Sequence, residues 1–479
     1  MSLAPAPLPF LLPRRAAGLV PVLPLVALPA LLALPLTYDG AGPADVVSGL
    51  VVVYCVIRLL RERRRPLSPT AAVVLGLPVV GLALAAMGAS SPEAGFTGLC
   101  RYLQVFVLVP AAVLILVRDR TDFRVLAWSF VGLALWQGAV GVHQYVTGTG
   151  ASYQGEEVRA VGTFGAHDVM GMATAVSLGL VCAVGIALGR AAAWQRVTAT
   201  GCAVTLLLPL ALSFSRGAWI ATALTCAVQL VLTGLRRTLK VALAVAAAGV
   251  VLTGGFGIGT AQLQERIDSI ARVGDAPDQS VVDRYALWAS AGGMWREQPL
   301  TGVGLKGFPE YRDGHATLAL SSGSEIAGAG TEYRKQALLS PHNMYLLVLS
   351  EQGLIGLLAL VGGWLALLVG GGRRLLRLRV RLRGYGRGGA RGGARGDGPE
   401  PGREPGPVRE PALDCGLVAC GLLLWLLTDF VYGDIGGPST MLIALSLGLA
   451  AWWALAGGER RDAVPRGTVP ERVEGVAAR

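Results

Sequence analysis

Apolar runs recur along the chain, separated by short polar interruptions. Each is about 17 to 25 residues long, which as a helix is enough to cross about 30 Å of hydrocarbon. The runs lie at 17–36, 44–60, 70–88, 99–117, 123–142, 168–188, 198–214, 217–234, 238–256, 343–370, 412–431 and 438–456. Lipid offers no partner to a free backbone group, so every run is expected to be a helix. The pattern therefore predicts an all-α polytopic membrane protein of about twelve transmembrane helices. Helices 1–9 fall within 1–256, a large helical loop within 257–341, helix 10 within 342–371, and helices 11 and 12 within 412–457. Segment 372–411, rich in Arg, Gly and Pro, reads as a disordered linker, and 458–479 as a polar tail.

Composition agrees, since 53% of the 479 residues are hydrophobic and only 15% charged, too little polar surface for an ordinary soluble protein. Charge sets the orientation. With both termini in the cytoplasm, most of the 42 Lys and Arg fall in cytoplasmic segments, notably 58–65, 236–240 and 373–409. Loop 257–341 is then extracytoplasmic. The net charge of +11 is accounted for by these loops facing anionic lipid headgroups, so no nucleic-acid partner is implied. The seven cysteines lie in or beside apolar runs without a CxxC pair, which argues against a disulfide framework or a zinc site. Arg14 and Arg15 precede a first run that lacks a cleavage site, so that run is expected to stay as a membrane span.

Within the large loop, Leu263, Ile267 and Ile270 recur at helical spacing and predict an amphipathic helix over 261–273 lying on the membrane face. A second helix, over 280–297, carries Arg284 and Trp288 on one face. Gly302, Gly304 and Gly307 form a formal GxGxxG. No βαβ unit surrounds them, so they predict a tight turn bringing backbone near the bilayer or a phosphate rather than a dinucleotide site.

The next segment, SPHNMYLLVLSEQGLIG, carries the chemistry. Ser340 suits an N-cap and Pro341 the first helical position, which places His342 and Asn343 in the first turn of helix 10. Unpaired N–H groups and the helix dipole there favour an anion and keep His342 neutral, able to accept a proton. An interfacial histidine that merely caps a helix has the same local pattern. Arg216, in the tight SFSRGAW turn, is placed at the outer interface, where it is either a snorkelling side chain or a clamp for a diphosphate. Arg284 reads as a second clamp or as a plain surface ion pair. No DxD, HExxH or Walker motif is present, so no metal or nucleotide cofactor is expected. Two arginines and a histidine on one outer face suit transfer from a lipid-linked diphosphate donor. The arginines would stabilise the leaving diphosphate, and His342 would take the proton of an acceptor hydroxyl as it attacks the anomeric carbon.

Four blocks carry a family likeness: RAVGTFG before the sixth run, SRGAW opening the eighth, DRYALWASAGGMWREQPLTGVGLKGF in the large loop, and HNMYLLVLSEQGLIG opening the tenth. On these the chain resembles the O-antigen ligase and Wzy-type O-antigen polymerase family of bacterial membrane glycosyltransferases. The resemblance implies a GT-C-type fold and metal-independent, inverting transfer of a glycan from undecaprenyl diphosphate to a glycan, lipid or protein acceptor. It implies an inner-membrane location with the site on the extracytoplasmic side. The family's arginines map onto Arg216 and Arg284 and its histidine onto His342. Asn343, Gly353 and Trp288 are supporting positions, and Arg159 in the RAVGTFG block is a further candidate for phosphate. Relatives commonly continue the GTF block with an Asn-containing segment, where this chain has Ala166-His167-Asp168, which leaves acceptor contacts and a role for His167 open. An excess of Arg and Ala over Lys hints at a bacterium without an outer membrane, and hence at a polymerase or a ligase to a wall or protein acceptor. Glu351 lies about 13 Å along the helix from His342, too far to pair with it, and is expected to satisfy a neighbouring span. Structural roles are expected for Asp429 and Asp434. The competing reading is a transporter or flippase for a lipid-linked oligosaccharide; a membrane scaffold is a third.

Overall fold

A computed structural model describes residues 21–35, 42–62, 67–153, 160–234, 279–317, 319–321, 324–327, 333–336, 338–392 and 413–456. The protein is a bundle of apolar helices: α1 Leu23–Leu31, α2 Pro43–Glu62, α3 Pro69–Met87, α4 Pro92–Leu103, α5 Val109–Leu116, α6 Arg120–Thr147, α7 Gly171–Leu188, α8 Ala193–Leu212, α9 Arg216–Thr233, α10 Gln279–Glu297, α11 Phe308–His315, α12 Met344–Gly392, α13 Leu413–Asp429 and α14 Thr440–Leu455. A π-helical turn, Gln104–Leu108, joins α4 to α5 without a break in direction. Among the described residues eight helices are long and apolar enough to cross a membrane, and α1, α13 and α14 are shorter apolar helices. The expected ninth run, 238–256, and the expected amphipathic helix, 261–273, lie outside the described residues.

Two expectations are corrected. The chain is not purely helical, because β1 Ser152–Tyr153, β2 Ser324–Ala327 and β3 Tyr333–Gln336 form a small antiparallel sheet, with Ser152 opposite Ala327 and Ser324 opposite Gln336. This sheet ties the loop after α6 to the segment before α12, a long-range pairing that local patterning does not encode. Nor does helix end at about 371. Residues 373–392 continue α12, and over 373–382 Leu375, Leu376, Leu378, Val380 and Leu382 sustain helical spacing among the arginines.

The core sits around α7, almost wholly buried and rich in Ala and Gly, so that α6, α9 and α13 approach it closely. Polar side chains inside the bundle bind across helices: the Gln229 amide donates to the carbonyls of Val181 and Leu417, linking α9 to α7 and α13. At one end of the bundle basic residues gather, with Arg118 paired to Asp122, Arg124 to the buried Asp414, and Arg374 stacked over Trp453. The opposite rim holds the α3–α4, α8–α9 and α13–α14 turns and the start of α12. Contacts between those turns join them into one surface.

Candidate active site at the bundle rim

Helix α12 begins at Met344, three residues later than the Ser-Pro signal predicts. Asn343 is the cap: its Oδ1 accepts from the N–H of Leu346 at 3.0 Å and its carbonyl from Leu347 at 2.9 Å. Its Nδ2 donates to the Val431 carbonyl at 3.0 Å. The Met344 N–H lies 2.9 Å from the carbonyls of both Phe430 and Gly433 in the α13–α14 turn. The N–H groups of Met344 and Leu346 are therefore taken up by protein oxygens rather than left for an anion. His342 stands outside the helix with φ of 48°, a left-handed conformation uncommon for a residue with a side chain. Trp288 holds it there, donating its indole N–H to the carbonyl of Pro341 at 2.9 Å. That interaction, absent from the local sequence, overrides the Ser-Pro start.

Nine residues into α12 the helix breaks. Gly353 has φ of 64° and ψ of −166°, and the freed backbone groups are taken up by the loop 299–305. Val303 and Gly304 donate to the carbonyls of Ser350 and Glu351 at 2.9 and 3.0 Å. Leu354 and Ile355 donate in return to Pro299 and Leu300 at 2.9 and 3.2 Å. Irregular backbone here is tolerated because Gly353 is buried in protein and N–H groups on both sides of the break are paired. The glycine turn is thus present as expected, but what it approaches is the backbone of α12 and of the α3–α4 turn. Leu305 donates to Ala85, and a side chain at Gly304 would meet the Gly88 carbonyl at 2.2 Å. Glu351 is buried, accepts from the Phe308 N–H at 3.3 Å at the start of α11 and faces Tyr102 on α4, a neighbouring span.

The α13–α14 turn brings further groups to His342. Asp434 and Arg284 are both within electrostatic range of the imidazole, and Asp429 is within range of Asp434 and Arg284. Burial holds His342 below its ordinary value; the Asp434 carboxylate opposes this and the Arg284 guanidinium adds to it. Desolvation and the neighbouring cation thus both disfavour the imidazolium form of His342. The Asp434 Oδ2 is buried and has no hydrogen-bond partner among the described residues. Two residues earlier, Tyr432 lies over the start of α9, where a Cβ at Gly217 would sit 3.3 Å from the Tyr432 Cβ. Arg216 is the first residue of α9, capped by Ser215, so this turn connects the Arg216 helix to the His342 turn.

Arg284 and Trp288 lie one helical turn apart on α10, as their spacing predicts. Asp283, buried beside them, accepts from both the N–H and the hydroxyl of Ser321, at 2.9 and 2.6 Å, and fixes α10 to the loop. Arg159 lies outside the described residues. The segment that follows it is gripped by two glutamines of α6. Gln144 accepts from the N–H groups of Val161 and Gly162 at 3.1 and 2.9 Å, and Gln137 from that of Thr163 at 2.9 Å. Ala160 donates to Leu212 at 3.4 Å, which sets the RAVGTFG block beside the α8–α9 turn.

The RAVGTFG block thus meets the α8–α9 turn, and the SRGAW turn and the start of α12 both contact the α13–α14 turn that carries Asp434. A family model described as O-antigen ligase matches residues 201–361. The matched stretch is about a third of the chain's length. No curated protein matches the chain. The match is to a family named for glycan ligation, and eight helices among the described residues are long and apolar enough to cross a membrane. The matched stretch contains Arg216, Arg284, Trp288, His342, Asn343 and Gly353, and leaves out Asp168 and Asp434. Asp434 is the residue that sequence reasoning undervalued. The polar run YGDIGGPST between two apolar runs was its signal, but only the folded turn shows which histidine it faces.

Proposed function

We propose that the protein transfers a glycan from an undecaprenyl-diphosphate-linked donor to an acceptor hydroxyl at the outer face of the cytoplasmic membrane. The observation that carries this is that His342, in a stretch matching the O-antigen ligase family, lies within electrostatic range of both Asp434 and Arg284. His342 accepts the acceptor's proton as its oxygen attacks the anomeric carbon with inversion. Arg284 and Arg216 stabilise the departing diphosphate, in a GT-C-type bundle of about twelve spans. Asp434 stabilises the imidazolium that forms. The outward orientation is supported by the arginines gathered at the opposite end, which suit a cytoplasmic face. Undecaprenyl-diphosphate oligosaccharide and candidate acceptors, reconstituted with wild type and with H342A, R284A and R216A at matched expression, test the reading. Glycosidic product should form with wild type and vanish in all three variants. Full turnover by H342A would overturn the assignment of the base.

A further inference from the structure

Asp168 lies in the segment where the chain departs from its family pattern, and the structure gives it a partner 271 residues away. Its Oδ2 accepts from the backbone N–H of Ser439, the cap residue of α14, at 3.0 Å. The same carboxylate is within bonding reach of the N–H groups of Met170 and Gly171, at the start of α7. One side chain therefore serves two helix N-termini, whose dipoles both favour its charge. Gly437, two residues before Ser439, has φ of 66°, and a Cβ there would lie 2.6 Å from the same Oδ2. On its other side the Gly437 carbonyl accepts from Arg101 at 3.2 Å, and Arg101 is itself paired with Asp45. The far end of the α13–α14 turn is thus held from α7 and α4. Its near end caps α12 through Phe430, Val431 and Gly433, and Asp434 lies between the two anchorages.

We propose that Asp168 is a positioning residue for glycan transfer: by clamping Gly437 and Ser439 it sets where Asp434 stands relative to His342. The inference rests on the reading of His342 as the base. His342 is faced by Asp434 from the turn and by Arg284 from α10; Asp429, on α13, faces Asp434 and Arg284. Asp434 raises the basicity of His342, so loosening the clamp lowers it further.

The full chain in nanodiscs, as D168A, D168N and G437A, is assayed for transfer across pH alongside hydrogen exchange of residues 430–439. In D168A and G437A, kcat should fall about ten- to hundredfold with donor KM within about twofold, as a misplaced group predicts. The acid limb of kcat should move to lower pH, and exchange in the turn should quicken. G437A leaves the carboxylate in place and opens the clamp by crowding. D168N, which keeps an acceptor for Ser439, should stay within about threefold of wild type. Unchanged kcat in D168A, or a lowered kcat with an unmoved acid limb, overturns the proposal. Quickened exchange in D168A and G437A, beside a wild type that transfers no glycan, would instead leave the clamp standing and remove the glycan-transfer reading.

Discussion

The indole N–H of Trp288 lies 2.9 Å from the carbonyl oxygen of Pro341, one residue ahead of His342. This hydrogen bond helps keep His342 at φ of 48°, outside the helix it precedes. Replacing Trp288 by Phe keeps the ring and deletes the donor, leaving a carbonyl without its partner. A loss of about 1 to 2 kcal/mol is expected, seen as a drop of about tenfold in kcat with little change in donor KM. Steady-state kinetics with varied donor concentration checks it.

The protonation of His342 gives a signed prediction. Its affinity for a proton is lowered by burial and by Arg284 and raised by Asp434. The neutral form is the active base, so activity should fall with acid only below the ordinary histidine value of about 6.5. R284Q removes a cation and should move this limb to higher pH, while D434N removes an anion and should move it lower. Residual turnover in each variant, followed from pH 5 to pH 8, measures both directions.

Asp168 adds a separate pH dependence of stability. Its burial pushes the carboxyl up to about 6, with Ser439 and the α7 N–H groups opposing the rise. A group whose folded value exceeds its unfolded one, about 3.9, holds more protons when folded. Stability from this group is therefore greatest below the unfolded value and declines as pH rises through about 6. Thermal melts of wild type and D168N in detergent should diverge across that window, the variant showing the smaller decline.

Gly353 tests the helix break. An alanine there would adopt φ of 64° and set its Cβ 2.3 Å from the Leu300 carbonyl carbon, backbone that has no room to move. Destabilisation of about 3 kcal/mol or more is expected, enough to lower the folded yield in detergent. Fluorescence-detected size exclusion after a temperature ramp reads this out, and unchanged melting would contradict the broken helix.

Metal dependence is checked directly. The transfer chemistry is assigned here to His342 and the arginines, so saturating EDTA should leave turnover within about twofold, and a cation-rescued loss would contradict that assignment.

Much of the bundle was legible because lipid imposes one solution on a long apolar run: α2, α3, α6, α7, α8 and α9 fall close to the patterned segments. The helix carrying Arg284 and Trp288 was also readable, from spacing and length. The start of α12 was not. Ser340 and Pro341 give a local signal for one cap, but the carbonyls of Phe430 and Gly433 and the Trp288 indole select Asn343 instead. The break at Gly353 lies in an unbroken apolar run, and its compensating donors come from a loop some fifty residues upstream. Asp434 was seen but not assigned, since its relation to His342 depends on a turn anchored by Asp168 and Arg101.

The interruption of α12 has a mechanical consequence. With 49 residues at about 1.5 Å each, α12 is far longer than the roughly 30 Å it must cross, so its lower portion tilts and shifts with bilayer thickness. The 299–305 loop bonds the turns ahead of Gly353 and the first residues after it, so it braces the break from both sides. Thinning or thickening of the lipid thus works against a braced joint rather than a free hinge, and turnover should vary little between short-chain and long-chain lipids.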